Sequence, residues 1–409
     1  MSGSPTFAVV GAGLAGAKAA EALRAEGFDG RVVLFGAELH RPYERPPLSK
    51  GYLQGSDPRD SVFVHPEGWY AEHEIDLRLD TVVAEIDRRA HELVTDSGHR
   101  ERYDKLLLTT GSTPRRLAVP GSDLAGVHYL RSLDDSDRLR SAFRPGARVV
   151  VIGAGWIGLE TAAAARTAGA EVTVLEHARL PLLPVLGPRM AAVFADLHTA
   201  HGVDLRCGVT ISEIRASAGG SPAAVLLADR TQLDADVVVV GVGVTPNVEL
   251  AQSCGLNVDN GVLVDRHLSS SDADILAAGD VANAYHPLLC RQLRIEHWAT
   301  ALHQPAVAAR TMLGRDATYD RLPYFFTDQY DLGMEYTGYA HPDVTDEVVV
   351  RGDVEAREFI AFWLSGGRVL AGMNVNIWDV AEDIERLIRS QAGVDPARLA
   401  DPTVALSEI

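Results

Sequence analysis

Two stretches of the chain carry the same order of apolar and small residues. Residues 6–38 read as apolar strand, glycine turn, alanine-rich helix and second apolar strand: "TFAVVGAG", "LAGAKAAEALRAEG", "RVVLFGAE". Residues 148–176 repeat it as "RVVVIGAG", "WIGLETAAAARTAG" and "EVTVLE". The strands are near-continuous Val, Ile and Leu, which predicts parallel strands buried on both faces. The helices are rich in Ala and Leu, good helix formers that let helix and sheet approach closely. "DADVVVVGVGVTPN" predicts another buried strand ending in glycines, and "ADILAAGDVAN" a short strand ending at Gly279 and Asp280. "ERYDKLLLTTGSTPRRL" is a strand broken at Gly and Pro, marking a crossing out of the first domain. After "RLPYFFTDQYD" the pattern becomes strand–turn alternation followed by a helix at "VAEDIERLIRSQAG".

The glycines give the repeat its chemistry. In each Gly-x-Gly-x-x-Gly the first glycine permits a tight turn and the second lets backbone approach a pyrophosphate. The third lets the helix lie close on the strand, and the helix N-terminus offers N–H groups to phosphate. Each turn follows a predicted buried strand, opens a helix, and precedes an acid read as ending the next strand, Glu38 and Glu176. A carboxylate there can accept hydrogen bonds from ribose hydroxyls. The fold expected is α/β: two Rossmann-like dinucleotide-binding domains plus a small C-terminal α/β domain. The expected boundaries are 1–112 with 247–323 for the first, 113–246 for the second and 324–409 for the third.

Two dinucleotide sites in one chain imply an electron path between two cofactors. The second domain is inserted as a unit and is read as the nicotinamide site. Glu176 would repel a 2′-phosphate, and only His177 and Arg179 follow it closely, so NADH is favoured over NADPH. The first site, assembled with "TTG" and "AAGD" from far along the chain, is read as holding FAD.

Composition narrows the class. The 409 residues exceed one ordinary core, and 46% hydrophobic with 23% charged residues is the balance of a packed globular protein. "MSGSPTFAVV" lacks the basic and apolar regions of a signal peptide, and no apolar run reaches the roughly 18 residues of a membrane span. The expectation is a cytoplasmic protein that spans no membrane. A net charge of −18 argues against a nucleic-acid partner. Cys207, Cys254 and Cys290 form no Cys-x-x-Cys pair, so neither a protein-held iron–sulfur cluster nor a redox disulfide is expected, and no metal site.

The stretch "RPYERPPLSKGYL", Arg41 to Leu53, is the specific signal. With "GAGWIGLE", "GVGVTPN", "LAAGDVA" and "EHWATALHQ", in that order over essentially the whole chain, it resembles the flavoprotein reductases of putidaredoxin-reductase and rubredoxin-reductase type. These include the NADH-dependent ferredoxin reductases of ring dioxygenases and bacterial P450 systems. More distantly the chain is similar to apoptosis-inducing factor. The resemblance implies that Gly11, Gly13, Leu14, Ala15 and Gly16 hold the FAD pyrophosphate and that Glu38 meets its ribose. In some relatives that acid stands one place earlier, where this chain has Ala37. It implies further FAD contacts at Arg45, Lys50, Val83, Thr110, Gly111, Arg131, Gly279, Asp280 and Trp298. For NADH it implies Gly153, Gly155, Trp156, Ile157, Gly158, Glu160, Glu176 and Gly243.

The implied activity passes electrons from NADH through FAD to a [2Fe–2S] ferredoxin, one at a time, for a P450 or an oxygenase. NADH gives two electrons together, a ferredoxin takes one, and flavin does both. Lys50 and Glu160 are expected to pair near the flavin and to be the catalytic residues, a carboxylate holding a buried lysine charged. Trp156 is expected to rest against the flavin and yield to nicotinamide. No cysteine or histidine is given a role. Relatives carry a tryptophan on the electron exit route where "FFTDQ" has Phe326. Arg291, Arg294 and Arg310 are candidates by position for docking an acidic ferredoxin. A monomer or weak homodimer is expected. Two other readings stand beside this one: a related flavoenzyme using rubredoxin, oxygen or a quinone, and a non-enzymatic NADH sensor.

Overall fold

The computed structural model describes residues 4–341 and 344–409. The chain packs into two compact units. The first comprises residues 1–44, 59–113 and 244–323; the second comprises 45–58, 114–243 and 324–409.

The first unit is built on a five-stranded parallel sheet. Its spatial order is Ile275–Ala277, Lys105–Leu108, Thr6–Val10, Arg31–Phe35 and Ile75–Arg78. The central strand carries Ala8 and Val9 with no exposure, its neighbours Val32, Val33, Leu34, Leu106 and Leu107 likewise. Both faces are covered, as the unbroken apolar runs predict. Helix Leu14–Ala25 lies against helix Trp298–Met312, and Ala17, Ala19, Ala20, Ala308 and Ala309 are fully buried. Alanine allows the close approach. His297, outside the proposed chemistry, caps the second of these helices by accepting from the Ala299 N–H.

The second unit repeats the plan. Its parallel sheet runs Asp204–Cys207, Glu171–Glu176, Arg148–Ile152, Val237–Val240 and Val127–His128. The C-terminal segment adds a five-stranded sheet in the order Tyr324–Gln329, Leu332–Gly338, Arg368–Val375, Glu358–Ser365 and Glu347–Asp353. This sheet is antiparallel throughout, with helix Ala381–Ser390 packed on it. One continuous core joins Val149, Val151 and Leu159 with Tyr336, Phe359 and Met373. The C-terminal segment therefore shares its interior with the second parallel sheet.

The Pro46–Ser49 turn belongs to this unit and is pinned to helix Leu133–Ala142. Ser136 donates to the Leu48 carbonyl at 2.9 Å, and the Tyr52 hydroxyl donates to Asp137. The helix begins with a capping box, Ser132 and Asp135 satisfying each other's backbone N–H groups. Among the described residues, no helix is long and apolar enough to cross a membrane.

Candidate functional site

The first glycine turn is set by close backbone approach. Gly11 has φ +118°, and a Cβ there would lie 2.2 Å from the Thr109 carbonyl oxygen of the neighbouring strand end. A Cβ on Gly16 would lie 2.1 Å from the Gly11 carbonyl oxygen. Gly13 differs: a Cβ would meet nothing within 4 Å. The open side of Gly13 is where a bare backbone can admit a bulky group at the N-terminus of helix Leu14–Ala25. A cavity of about 500 Å³ adjoins this turn, lined by Gly11, Ala37, Val83, Thr110, Asn247 and Leu250 among others. A nucleoside-sized cavity beside a phosphate-accepting helix end fits the adenosine half of a dinucleotide.

The structure thus brings Gly11, Val83 and Thr110 onto one wall system, and sets Gly279 against Ala15, a Gly279 Cβ being 3.1 Å from the Ala15 methyl. Asp280 accepts from the Ser112 hydroxyl at 2.9 Å, and Trp298 Nε1 donates to Glu44 at 3.0 Å. Gly111 follows Thr110 and accepts the Asn247 N–H at 2.9 Å. Glu38 is placed otherwise than the sequence suggests. Its strand stops at Phe35, Ala37 lies on the cavity wall, and the Glu38 carboxylate accepts from the Tyr43 hydroxyl.

The second turn copies the first. Gly153 has φ +100°, its Cβ position lies 2.4 Å from the Gly241 carbonyl oxygen, and that of Gly158 lies 2.1 Å from the Gly153 carbonyl oxygen. Gly155 is open, with nothing within 4 Å. Gly243 has φ +96° at the end of the adjacent strand. Here the acid is the last residue of its strand. Glu176 accepts the Ala154 N–H of the turn and the Ala178 N–H, each at 2.7 Å.

Helix Trp156–Thr167 begins in this turn. Ile157 is 46% exposed. Trp156 packs on Phe194 and Phe325, with ring centroids 5.5 and 5.0 Å apart. One turn on, Glu160 points inward and is 3% exposed. Lys50 Nζ sits 2.6 Å from Glu160 Oε1, and the Thr327 hydroxyl donates to the same oxygen at 2.6 Å. Ser49 donates its hydroxyl to the other carboxylate oxygen. The pair expected from the sequence is therefore formed, and its hydroxyl partners Ser49 and Thr327 were missed. Both stand in quoted stretches, "RPPLSK" and "FFTDQ", but only the packing reveals which face they share. The Phe326 ring lies 5.2 Å from Lys50 Nζ. Arg45 donates to the Arg131 carbonyl oxygen, which ties these two residues together in the same unit.

Arg294 and Arg310, two of the docking candidates, have carboxylates beside them. Arg294 directs its guanidinium to Glu296 and its side chain is 7% exposed, while Arg310 lies 4.0 Å from Glu26. Among the described residues no cluster of His, Cys, Asp and Glu could hold a metal ion, and the three cysteines are free.

Two parallel-sheet nucleotide folds, each with a glycine turn at a helix N-terminus, define a two-nucleotide oxidoreductase. The family model for pyridine nucleotide-disulphide oxidoreductases matches residues 5–304, and the reductase C-terminal model matches residues 324–409; the chain belongs to this family. It is 44% identical over 407 residues to the ferredoxin–NAD(+) reductase component of the anthranilate 1,2-dioxygenase system of Burkholderia cepacia, covering 99% of both chains. It is 36% identical over 413 residues to putidaredoxin reductase of Pseudomonas putida, covering 100% of this chain and 97% of that one. Among solved structures, the covalent putidaredoxin reductase–putidaredoxin complex contains a chain that matches with a TM-score of 0.96 at 36% identity, covering 99% of this chain and 98% of that one. The family resemblance read from the ordered motifs is borne out.

Proposed function

We propose that the protein is an NADH-dependent ferredoxin reductase. It passes electrons from NADH through FAD, one at a time, to a [2Fe–2S] ferredoxin that serves a P450 or ring-hydroxylating oxygenase. The observation that carries this reading is the pair of matching glycine turns, one in each unit, in a chain similar along 99% of its length to a ferredoxin–NAD(+) reductase component.

In this reading residues 1–112 and 247–323 bind FAD, 113–246 bind NADH, and 324–409 complete the reductase. When bound, FAD supplies the exchange of a two-electron hydride for single electrons. The turn Gly11, Gly13, Leu14, Ala15 and Gly16 takes the pyrophosphate, and the cavity walled by Ala37 and Val83 takes the adenosine end. Thr110, Gly111, Gly279, Asp280 and Trp298 hold the remainder. Gly153, Gly155, Ile157, Gly158, Glu176 and Gly243 bind NADH. Trp156, whose indole already packs on Phe194 and Phe325, orients the nicotinamide.

Lys50 supplies positive charge at the reacting ring, and Glu160 keeps that ammonium in place through the 2.6 Å contact. Phe326 stands at the electron exit. The protein works in the cytoplasm. The test is NADH-driven cytochrome c reduction with and without added ferredoxin. The expected result is a rate that depends on ferredoxin. Turnover with ferricyanide but not with any ferredoxin would move the assignment to another acceptor, and no turnover with ferricyanide would remove the enzymatic reading.

A further inference from the structure

A buried polar chain in the second unit leads to the Lys50–Glu160 pair from strand Tyr324–Gln329, not from Lys50's own turn. His198, on helix Leu183–Ala200, has no exposed surface, and neither do Gln329 and Thr327. The His198 Nε2 lies 2.8 Å from Gln329 Oε1. Gln329 Nε2 donates to Thr327 Oγ1 at 3.1 Å, and Thr327 Oγ1 lies 2.6 Å from Glu160 Oε1. Thr327 and Gln329 stand two apart on strand Tyr324–Gln329, so they face the same side. The chain therefore runs without a break from the buried histidine to the carboxylate that holds Lys50.

The donors have one consistent direction. A threonine hydroxyl has a single proton. With the Gln329 amide nitrogen already donating to its oxygen, that proton is free for Glu160. This orientation puts the Gln329 oxygen at His198 and requires the ring to carry its proton on Nε2. The flipped amide would set two acceptors, Gln329 and Glu160, on one hydroxyl proton. It would also require the His198 proton on Nδ1, which is buried without a hydrogen-bond partner among the described residues. Burial pushes the ring down to about 4, so at neutral pH it is uncharged and has one N–H to place.

We propose that His198, Gln329 and Thr327 are positioning residues, a one-way hydrogen-bond chain that aims the Thr327 hydroxyl at Glu160 Oε1 and so fixes the carboxylate to which Lys50 is tied. The kinetic consequence rests on the reading of Lys50 and Glu160 given above; the direction of the chain does not.

Two measurements test it. The first is the ¹⁵N spectrum of the histidine-labelled wild-type holoprotein at pH 7, with the His198 signal identified by its loss in His198→Asn. The expected form is the neutral ring protonated at Nε2. A ring protonated at Nδ1 overturns the proposal. The second is stopped-flow reduction of bound flavin by NADH. Thr327→Val keeps the shape and removes the donor; it should slow the limiting rate roughly tenfold, the effect of one lost charge-assisted hydrogen bond, and Thr327→Ser should restore it. Gln329→Met should slow the same step in the wild type and add nothing in the Thr327→Val background, because it acts only through that hydroxyl. Equal slowing by Gln329→Met in both backgrounds, or an unchanged rate in Thr327→Val, overturns the proposal. If His198→Asn does not fold, the Thr327 pair decides. If NADH fails to reduce the wild-type flavin, the functional reading falls and the tautomer decides the chain alone.

Discussion

The glycine turns at Gly11 and Gly153 have nearly the same backbone, yet their surroundings diverge in two places. After the first turn the acid Glu38 lies past the end of its strand and serves Tyr43; after the second, Glu176 ends its strand and accepts an N–H of the turn itself. Two residues beyond the third glycine, the first helix carries Lys18 and the second carries Glu160. Lys18 makes a surface pair with Glu21, both partners solvated, whereas Glu160 is 3% exposed and receives three donors. The turn is a common device for approaching a pyrophosphate. What distinguishes the sites is the polar residue each helix and strand supplies beside it. The first helix packs its alanines closely against helix Trp298–Met312, and the second carries a fixed charge pair.

The largest expected difference lies at these helix positions. Glu160→Leu leaves the Lys50 ammonium, itself 15% exposed, without its carboxylate, and should destabilise the protein by about 3–5 kcal/mol. Lys18→Leu removes a partly exposed pair and should change stability by less than about 1 kcal/mol. Urea unfolding of the two variants side by side measures the contrast. Similar losses in both would mean that burial of Glu160 is not what sets the second helix apart.

The next effect is a pH dependence carried by His198 in the second unit. Burial holds His198 at about 4 in the folded protein, below the unfolded value. The unfolded chain therefore binds the extra proton first, and stability present at pH 7 is lost as pH falls through the unfolded value toward the folded one. Between pH 7 and pH 5 this group should cost about 2 kcal/mol. The difference between wild type and His198→Asn in urea titrations at the two pH values isolates it from the carboxylates. A wild-type protein no more acid-sensitive than the variant would remove this contribution.

The smallest expected effect separates the two acids. Glu176→Ala with an arginine placed nearby should narrow the preference for NADH over NADPH in kcat/KM by about tenfold, equivalent to roughly 1.4 kcal/mol. Glu38→Ala should leave that ratio within about twofold, since its unit is assigned to the other cofactor. Steady-state rates with both nucleotides decide it. Equal use of the two nucleotides by the unmodified protein would contradict the role given to Glu176.

Most of the architecture was legible because the signals were local. A run such as "RVVVIGAG" fixes a strand buried on both faces, and the glycine spacing fixes the turn and the helix that follows. The Lys50–Glu160 pair was legible through resemblance, since 110 positions separate its members. Glu38 was harder. Apolar pattern does not mark the end of a strand to within a few residues, and the chain turns away after Phe35. The His198–Gln329–Thr327 chain was not legible at all. A histidine on an amphipathic helix and a glutamine on a strand carry no mutual signal until a shared core brings them together.

The central claim is a division of labour: the Gly11 turn holds FAD and the Gly153 turn admits NADH. Gly13 and Gly155 test it directly, because a methyl at either position meets no protein atom within 4 Å and so leaves the fold intact. The measurement is flavin content together with anaerobic bleaching of the flavin by NADH, made on Gly13→Ala and Gly155→Ala. Gly13→Ala should be purified with most of its flavin lost. Gly155→Ala should stay fully yellow and need at least about tenfold more NADH to bleach. A Gly155→Ala protein that loses its flavin, or a Gly13→Ala protein that keeps it and bleaches poorly, would contradict the assignment.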